Sequence, residues 1–225
     1  MSTSESAEAA FMAKVTASTT HEIRNVLAIV KESAGLVEDM IRAFERSGSL
    51  KQDKVLRALG RIEAQVSRGA ALMSSLNRFA HSLDPTENGI DLNEQVEQFV
   101  FLYQRFARQK NHVVQASTGD QALTVGIHAL WLQMLLFAAM DCCSEQLPEG
   151  GTVTIRTSQQ GGQPTLEFVG AVEDEAVPLA PTEGAGRSRL AELLNRFGAS
   201  LEVGEPAGGL RISLSGDAKP DVGVS

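Results

Sequence analysis

His21-Glu22-Ile23-Arg24-Asn25-Val26-Leu27 places a histidine, an adjacent acid and an amide four residues on inside a strongly helical segment. One helical turn carries His21 round to Asn25, so the two side chains share a face. An imidazole flanked by a carboxylate and a neutral hydrogen-bonding group, on a rigid support, suits proton transfer or a phosphoryl group carried on nitrogen.

Outward from this run, the apolar residues Ile23, Val26, Val30, Ala34, Val37, Ile41 and Phe44 recur in steps of three and four. That rhythm is a heptad-like helical seam. His21 lies off the seam and is expected to face solvent. Ser47-Gly48-Ser49 signals a turn. Val55, Leu59, Ile62, Val66, Gly69, Met73, Leu76 and Ala80 then repeat the spacing, and the segment ends near Asp84-Pro85, where proline stops a helix. Two long amphipathic helices with a short connection pack as an antiparallel hairpin. A lone hairpin leaves much of its stripe uncovered, so a homodimer is expected, with a four-helix bundle at its centre. Folding the hairpin about Gly48 brings Asn77 and Arg78 towards His21, where Arg78 could help neutralise a phosphoryl group. His81 lies near the same end but lacks an adjacent acid.

The run resembles the H-box of bacterial sensor histidine kinases, with Val26 where that family usually has proline. The resemblance implies that His21 carries a phosphoryl group. It implies that Glu22 assists proton removal, and that Asn25 can orient the water that dephosphorylates a partner response regulator. It also implies that the hairpin is a dimerisation and phosphotransfer domain. Arg24, small Ala28 one turn further along the face, and the polar flank Lys31-Glu32 are then candidates for docking a receiver domain.

The chain has 225 residues, enough for two modest domains, and a formal net charge of -8, which argues against nucleic acid as the main partner. No apolar stretch is long enough to span a membrane, and MSTSESAEAA has no signal-peptide pattern, so a cytoplasmic protein is expected. Cys142 and Cys143 are adjacent and have no metal-ligand spacing with the scattered histidines; two buried thiols and no metal site are expected. Residues 1–10 and 217–225 read as disordered, 11–84 as the hairpin, 85–90 as a linker and 91–216 as a second domain.

In that second domain Asp91 can cap a helix running to about Gln109. Strands are expected at 112–117 and 121–126, then a helix from about His128 to Gln146. Thr152–Arg156 and Leu166–Val169 read as strands, 186–197 as a helix, and 200–204 and 210–214 as closing strands. The expected class is α+β: a helical hairpin followed by an α/β two-layer sandwich.

That order resembles the ATP-binding domain of the same kinases, the Bergerat fold. The segment LWLQMLLFAAMDCCSEQLPEGGTVTIRT is similar to the family's asparagine box and the strand after it, so the resemblance runs from about residue 11 to 215. The departures are specific. The two asparagines of the box, four residues apart, are replaced by Phe137 and Asp141; Asp141 could still ligate Mg²⁺ through oxygen. The adenine-reading Asp-x-Gly-x-Gly box has no counterpart in Phe168–Glu175. The phosphate-lining glycine box survives as Gly184 and Gly186 before a helix, an end that can bind an anion. The stretch between the two boxes is too short for an ATP lid.

The resemblance with its departures implies a histidine phosphotransferase that relays phosphoryl groups between response-regulator receivers. No cofactor would be stably bound, ATP would not be used, and Mg²⁺ would be supplied at the partner receiver. One alternative is an active kinase using Asp141, Gly184 and Gly186. The other is a non-catalytic pseudokinase that binds a receiver or a kinase.

Overall fold

The computed structural model describes residues 3–47, 52–84, 89–179, 185–204 and 208–214. The chain divides into two compact units, residues 1–80 and 81–225. Among the described residues no helix is long and apolar enough to cross a membrane.

The first unit is a hairpin of α1 (Thr3–Ser47) and α2 (Gln52–Ala80). The Gly48–Ser49 turn signal lies outside the described residues. Helix α1 starts at Thr3, which corrects the expectation of disorder over residues 3–10. Ala7, Ala9, Ala10, Glu5 and Glu8 are strong helix formers, and Glu5 in the first turn complements the helix dipole. Phe11 then anchors the segment: it is buried, with its ring edge-on to Phe79 at 5.8 Å.

The hairpin carries two apolar stripes. The inner one closes α1 on α2 through Phe11, Val15, Val26, Ala58, Leu72 and Phe79, with Thr19, Ser33 and Ser75 buried among them. Val26 belongs here and not to the outer heptad. Leu27, 61% exposed, takes its place, so the outer seam on α1 is Ile23, Leu27, Val30, Ala34, Val37, Ile41 and Phe44. Steps of three or four from Ile23 both satisfy helical periodicity; the close approach of α2 at Val26 decides between them. On α2 the outer seam alternates. Val55, Ile62, Gly69 and Leu76 are half-buried, whereas Leu59, Val66, Met73 and Ala80 are exposed.

The second unit is an α/β two-layer sandwich. A 3-10 turn at His81–Leu83 precedes β1 (Ile90–Asp91), α3 (Leu92–Gln109), β2 (Val113–Ser117), β3 (Thr124–Val125) and α4 (Ala129–Gln146). Next come β4 (Thr152–Gln160), β5 (Gln163–Val172), β6 (Glu175–Val177), α5 (Ala185–Phe197), β7 (Ser200–Gly204) and β8 (Gly209–Ser213). The main sheet runs β2-β4-β5-β8-β7, with β6 on β5 beyond the end of β8. Among the described strands, only β2 and β4 pair in parallel. β1 and β3 form a small antiparallel pair, so the expected linker ends before Ile90, which is buried. Residues 85–88 and the expected disordered tail, 217–225, lie outside the described residues.

Asp91 caps α3 by accepting from Asn93 N at 2.9 Å. Helix α4 is buried almost all round, which explains its weak amphipathic pattern. Its Leu132, Leu135, Leu136 and Met140, with Val153, Ile155, Leu166, Phe168, Leu210 and Ile212 of the sheet, are buried residues of the core. Strand β6 is absent from the sequence expectation. It pairs with β5 through a two-residue turn in which Glu173 (φ 48°) and Asp174 (φ 67°) both take positive φ. Asn-Gly usually marks such a turn, and neither residue is present here.

Candidate functional site

His21 stands exposed on α1, and the amide nitrogen of Asn25 lies 3.3 Å from its Nδ1. Turned over, the same amide offers its oxygen to an Nδ1–H. In that orientation Nδ1 would carry the proton and Nε2 would keep its lone pair. One turn of helix therefore sets both the ring and its partner, as the four-residue spacing predicts.

Glu22 points differently. A single residue step rotates it about 100° round the helix, on to the flank facing α2. Its side chain is only 13% exposed, and its carboxylate accepts from Arg68 Nη2 at 2.7 Å. Arg68 is a residue the sequence reading missed. Nothing local marks it, because its place is set by how α2 lies along α1. Gly69 contributes: a Cβ there would sit 3.2 Å from Val26 Cγ1, so the glycine lets the two helices approach at this level.

The same register moves Arg78 away from the site. Phe79 packs on Phe11 while Arg68 meets Glu22. Arg78 is therefore level with the stretch of α1 around Phe11, ten residues beyond Arg68, or about 15 Å along the helix. The expectation that Asn77 and Arg78 adjoin His21 assumed arms of equal length about Gly48; α1 instead extends past the level at which α2 begins. His81 belongs to the second unit, where its Nδ1 lies 2.8 Å from Asp84 Oδ2. Arg24 and Ala28 are exposed on α1. Towards the turn end of the hairpin, a groove of about 760 Å³ opens between the helices. It has Glu32 and Asp39 on one wall and Lys54, Arg57 and Arg61 on the other.

In the second unit the positions matched to a nucleotide site are taken up by other contacts. Phe137 sits in an aromatic cluster, its ring 5.2 Å from Phe99, 5.0 Å from Tyr103 and 5.3 Å from Phe106. Asp141 has the Lys110 ammonium 3.7 Å away and accepts from the Tyr103 hydroxyl at 3.5 Å. Burial, with the Asp141 carboxylate adding to it, pushes the Tyr103 phenol well above its usual range. The stretch expected to lack an adenine-reading box is the β5–β6 hairpin. There Gly170 is close-packed: a Cβ would lie 3.0 Å from Leu179 Cδ2 and from Val177 O.

Gly184 lies outside the described residues. Gly186 is in the first turn of α5, where a Cβ would be 3.4 Å from Cys142 Sγ and 3.5 Å from Glu145 Oε1. A side chain there would meet α4 at ordinary van der Waals distance, and a carboxylate already stands at that helix start. A negative charge there opposes a phosphate. Both cysteines are buried. Burial first, then the Glu145 and Asp141 carboxylates, pushes the Cys142 thiol up to about 11. Among the described residues no group of three or more His, Cys, Asp or Glu is placed to hold a metal ion.

No family model matches the chain, and no curated protein matches it. Solved structures do. The Acinetobacter baumannii histidine kinase AdeS is 16% identical, covering 88% of this chain and 98% of that one, with a TM-score of 0.46. The histidine kinase domain of the Erythrobacter litoralis blue-light activated kinase EL346 is 16% identical over 88% and 94%, at 0.45. A bacterial phosphotransferase is 14% identical over 95% and 97%, at 0.45. These likenesses are distant, at 14–16% identity.

Proposed function

We propose that this protein is a homodimeric histidine phosphotransferase of a two-component phosphorelay. It would take a phosphoryl group on His21 from the aspartyl phosphate of one receiver domain and pass it to the aspartate of another. The observation that carries the reading is a contrast. His21 is exposed with its Nδ1 side held by Asn25, while Phe137 and Asp141, at the positions matched to the nucleotide box, are engaged by an aromatic cluster and by Lys110.

The chemistry asks little of this chain beyond an oriented imidazole. The Nε2 lone pair of neutral His21 attacks phosphorus in line. The P–O bond to the receiver's aspartate breaks and its carboxylate is restored. The Asn25 oxygen holds the Nδ1 proton as positive charge develops on the ring, and the Glu22–Arg68 pair stands beside it. The reverse step delivers the group to a second receiver. Mg²⁺, which belongs to the receiver's own acidic site, would screen the transferring oxygens there. Arg24, Ala28 and the charged groove towards the turn offer a receiver both small and charged contacts. The exposed outer seam, Leu27, Leu59, Val66 and Met73 among it, supports the homodimer: a second copy in a four-helix bundle would cover it.

Incubation of the purified chain with labelled ATP and Mg²⁺, beside its His21→Ala variant, separates the readings. The proposal expects no label on either protein. Label on the wild type that is lost in the variant would make the chain a kinase. Receiver binding that survives His21→Ala, with no transfer by the wild type, would make it a non-catalytic regulator.

A further inference from the structure

We infer that Arg68 is a positioning residue for phosphorylated His21. It neutralises Glu22, and so allows a phosphoryl dianion to reside on the neighbouring side chain. The inference rests on the phosphotransfer reading of His21 and deepens it.

Glu22 lies on the flank of α1 that faces α2, and its side chain is largely withdrawn from water. A carboxylate in that setting is poorly screened. A phosphoryl group bound next to it on His21 would bring roughly two further negative charges at neutral pH. Repulsion between the two would shorten the life of the phosphohistidine. Arg68 cancels the carboxylate at 2.7 Å. Its guanidinium has five donors, its side chain is 41% exposed, and so it can keep Glu22 while turning a second N–H outward. Arg24 is exposed on α1, and Glu63 and Arg61 lie further towards the turn on α2. Arg78 adjoins Phe79, which packs on Phe11, ten residues before His21.

The full-length protein can be loaded without any partner by using phosphoramidate. The P–N bond to ammonia breaks as the bond from phosphorus to Nε2 forms, and ammonia leaves with a proton. Loss of the group is hydrolysis: water adds to phosphorus, and the bonding pair returns to the ring nitrogen, which takes up a proton. Lifetimes are followed by ³¹P NMR. Arg68→Ala is expected to shorten the phosphohistidine lifetime about threefold, the scale of a partly screened charge pair. Glu22→Gln, which removes the repelling charge and frees Arg68, is expected to lengthen it. Arg68→Lys should recover most of the loss, and in guanidinium all lifetimes should coincide.

A purely structural role would make Arg68→Ala and Glu22→Gln shift the lifetime in the same direction; that result would overturn the proposal. So would differences that persist in the unfolded chain. Should Arg68→Ala fail to fold, a shortened lifetime in well-folded Glu22→Gln is decisive against it. If His21 takes no phosphoryl group at all, both this inference and the relay reading fall. Opposite shifts with no transfer from receivers would remove only the relay.

Discussion

The hairpin and the α/β unit treat their surfaces in opposite ways. In the hairpin, Leu27, Leu59, Val66 and Met73 are left uncovered, and the polar site at His21 is open. In the α/β unit the core is closed, and the positions matched to nucleotide contacts hold Phe137 in a ring cluster and Asp141 beside Lys110. An uncovered seam beside an exposed imidazole fits the proposed pairing with a second copy and with receivers. At those positions of the α/β unit the side chains are engaged by their own neighbours. Mutations in the two regions should therefore fail differently: in assembly and transfer for the first, in folding for the second.

The largest effect separating the two regions should come from Phe137→Ala. Removing an aromatic ring from the packed cluster should cost about 3–4 kcal/mol. Thermal unfolding should show an early transition of the α/β unit while the helical signal of the hairpin persists; a single unshifted transition would argue that the cluster is loosely packed. Val66→Glu should act on association and leave each hairpin's fold intact. A carboxylate forced into the proposed bundle seam costs about 3 kcal/mol or more, so the proposal expects sedimentation to show dimers of the wild type and monomers of the variant. A variant that sediments like the wild type would place the dimer seam elsewhere.

Smaller changes sharpen the comparison. Ser75 is fully buried in the inner stripe, and among the described residues its hydroxyl has no hydrogen-bond partner. Ser75→Ala should stabilise the hairpin by about 0.5–1 kcal/mol, through lost desolvation cost and better helix propensity. A lower denaturation midpoint would show that the hydroxyl finds a partner. In the α/β unit, a thiol pushed up to about 11 stays protonated well beyond neutrality, so Cys142 should alkylate at pH 8 far more slowly than a free thiol. The unfolded chain ionises first as pH rises, so its reactivity at pH 8–9 should exceed the native protein's many-fold. Equal rates would mean an open α4–α5 contact.

What the sequence made legible was local. Heptad spacing marked both helices, and the His21 to Asn25 step of one turn placed the ring beside its amide. The seam went astray by one residue, Val26 for Leu27, because both spacings satisfy the helical period. Arg68 was invisible and Arg78 misplaced for a different reason. Their positions depend on how far two helices slide past each other, which no local pattern records. The same holds for β6, whose turn is built by Glu173 and Asp174 in a conformation those residues rarely signal. The early start of α1 was legible in propensity, from its alanines and glutamates, but the polar composition of the first ten residues outweighed it in the reading.

The account's central claim is that His21 accepts a phosphoryl group from a receiver and not from ATP. Receiver domains charged with labelled acetyl phosphate, then mixed with the wild type and with His21→Ala, test it most directly. The account predicts label moving to the wild type within the lifetime of the aspartyl phosphate, and none to the variant. Label that reaches His21→Ala equally, or label that reaches the wild type from ATP alone and from no charged receiver, would contradict it.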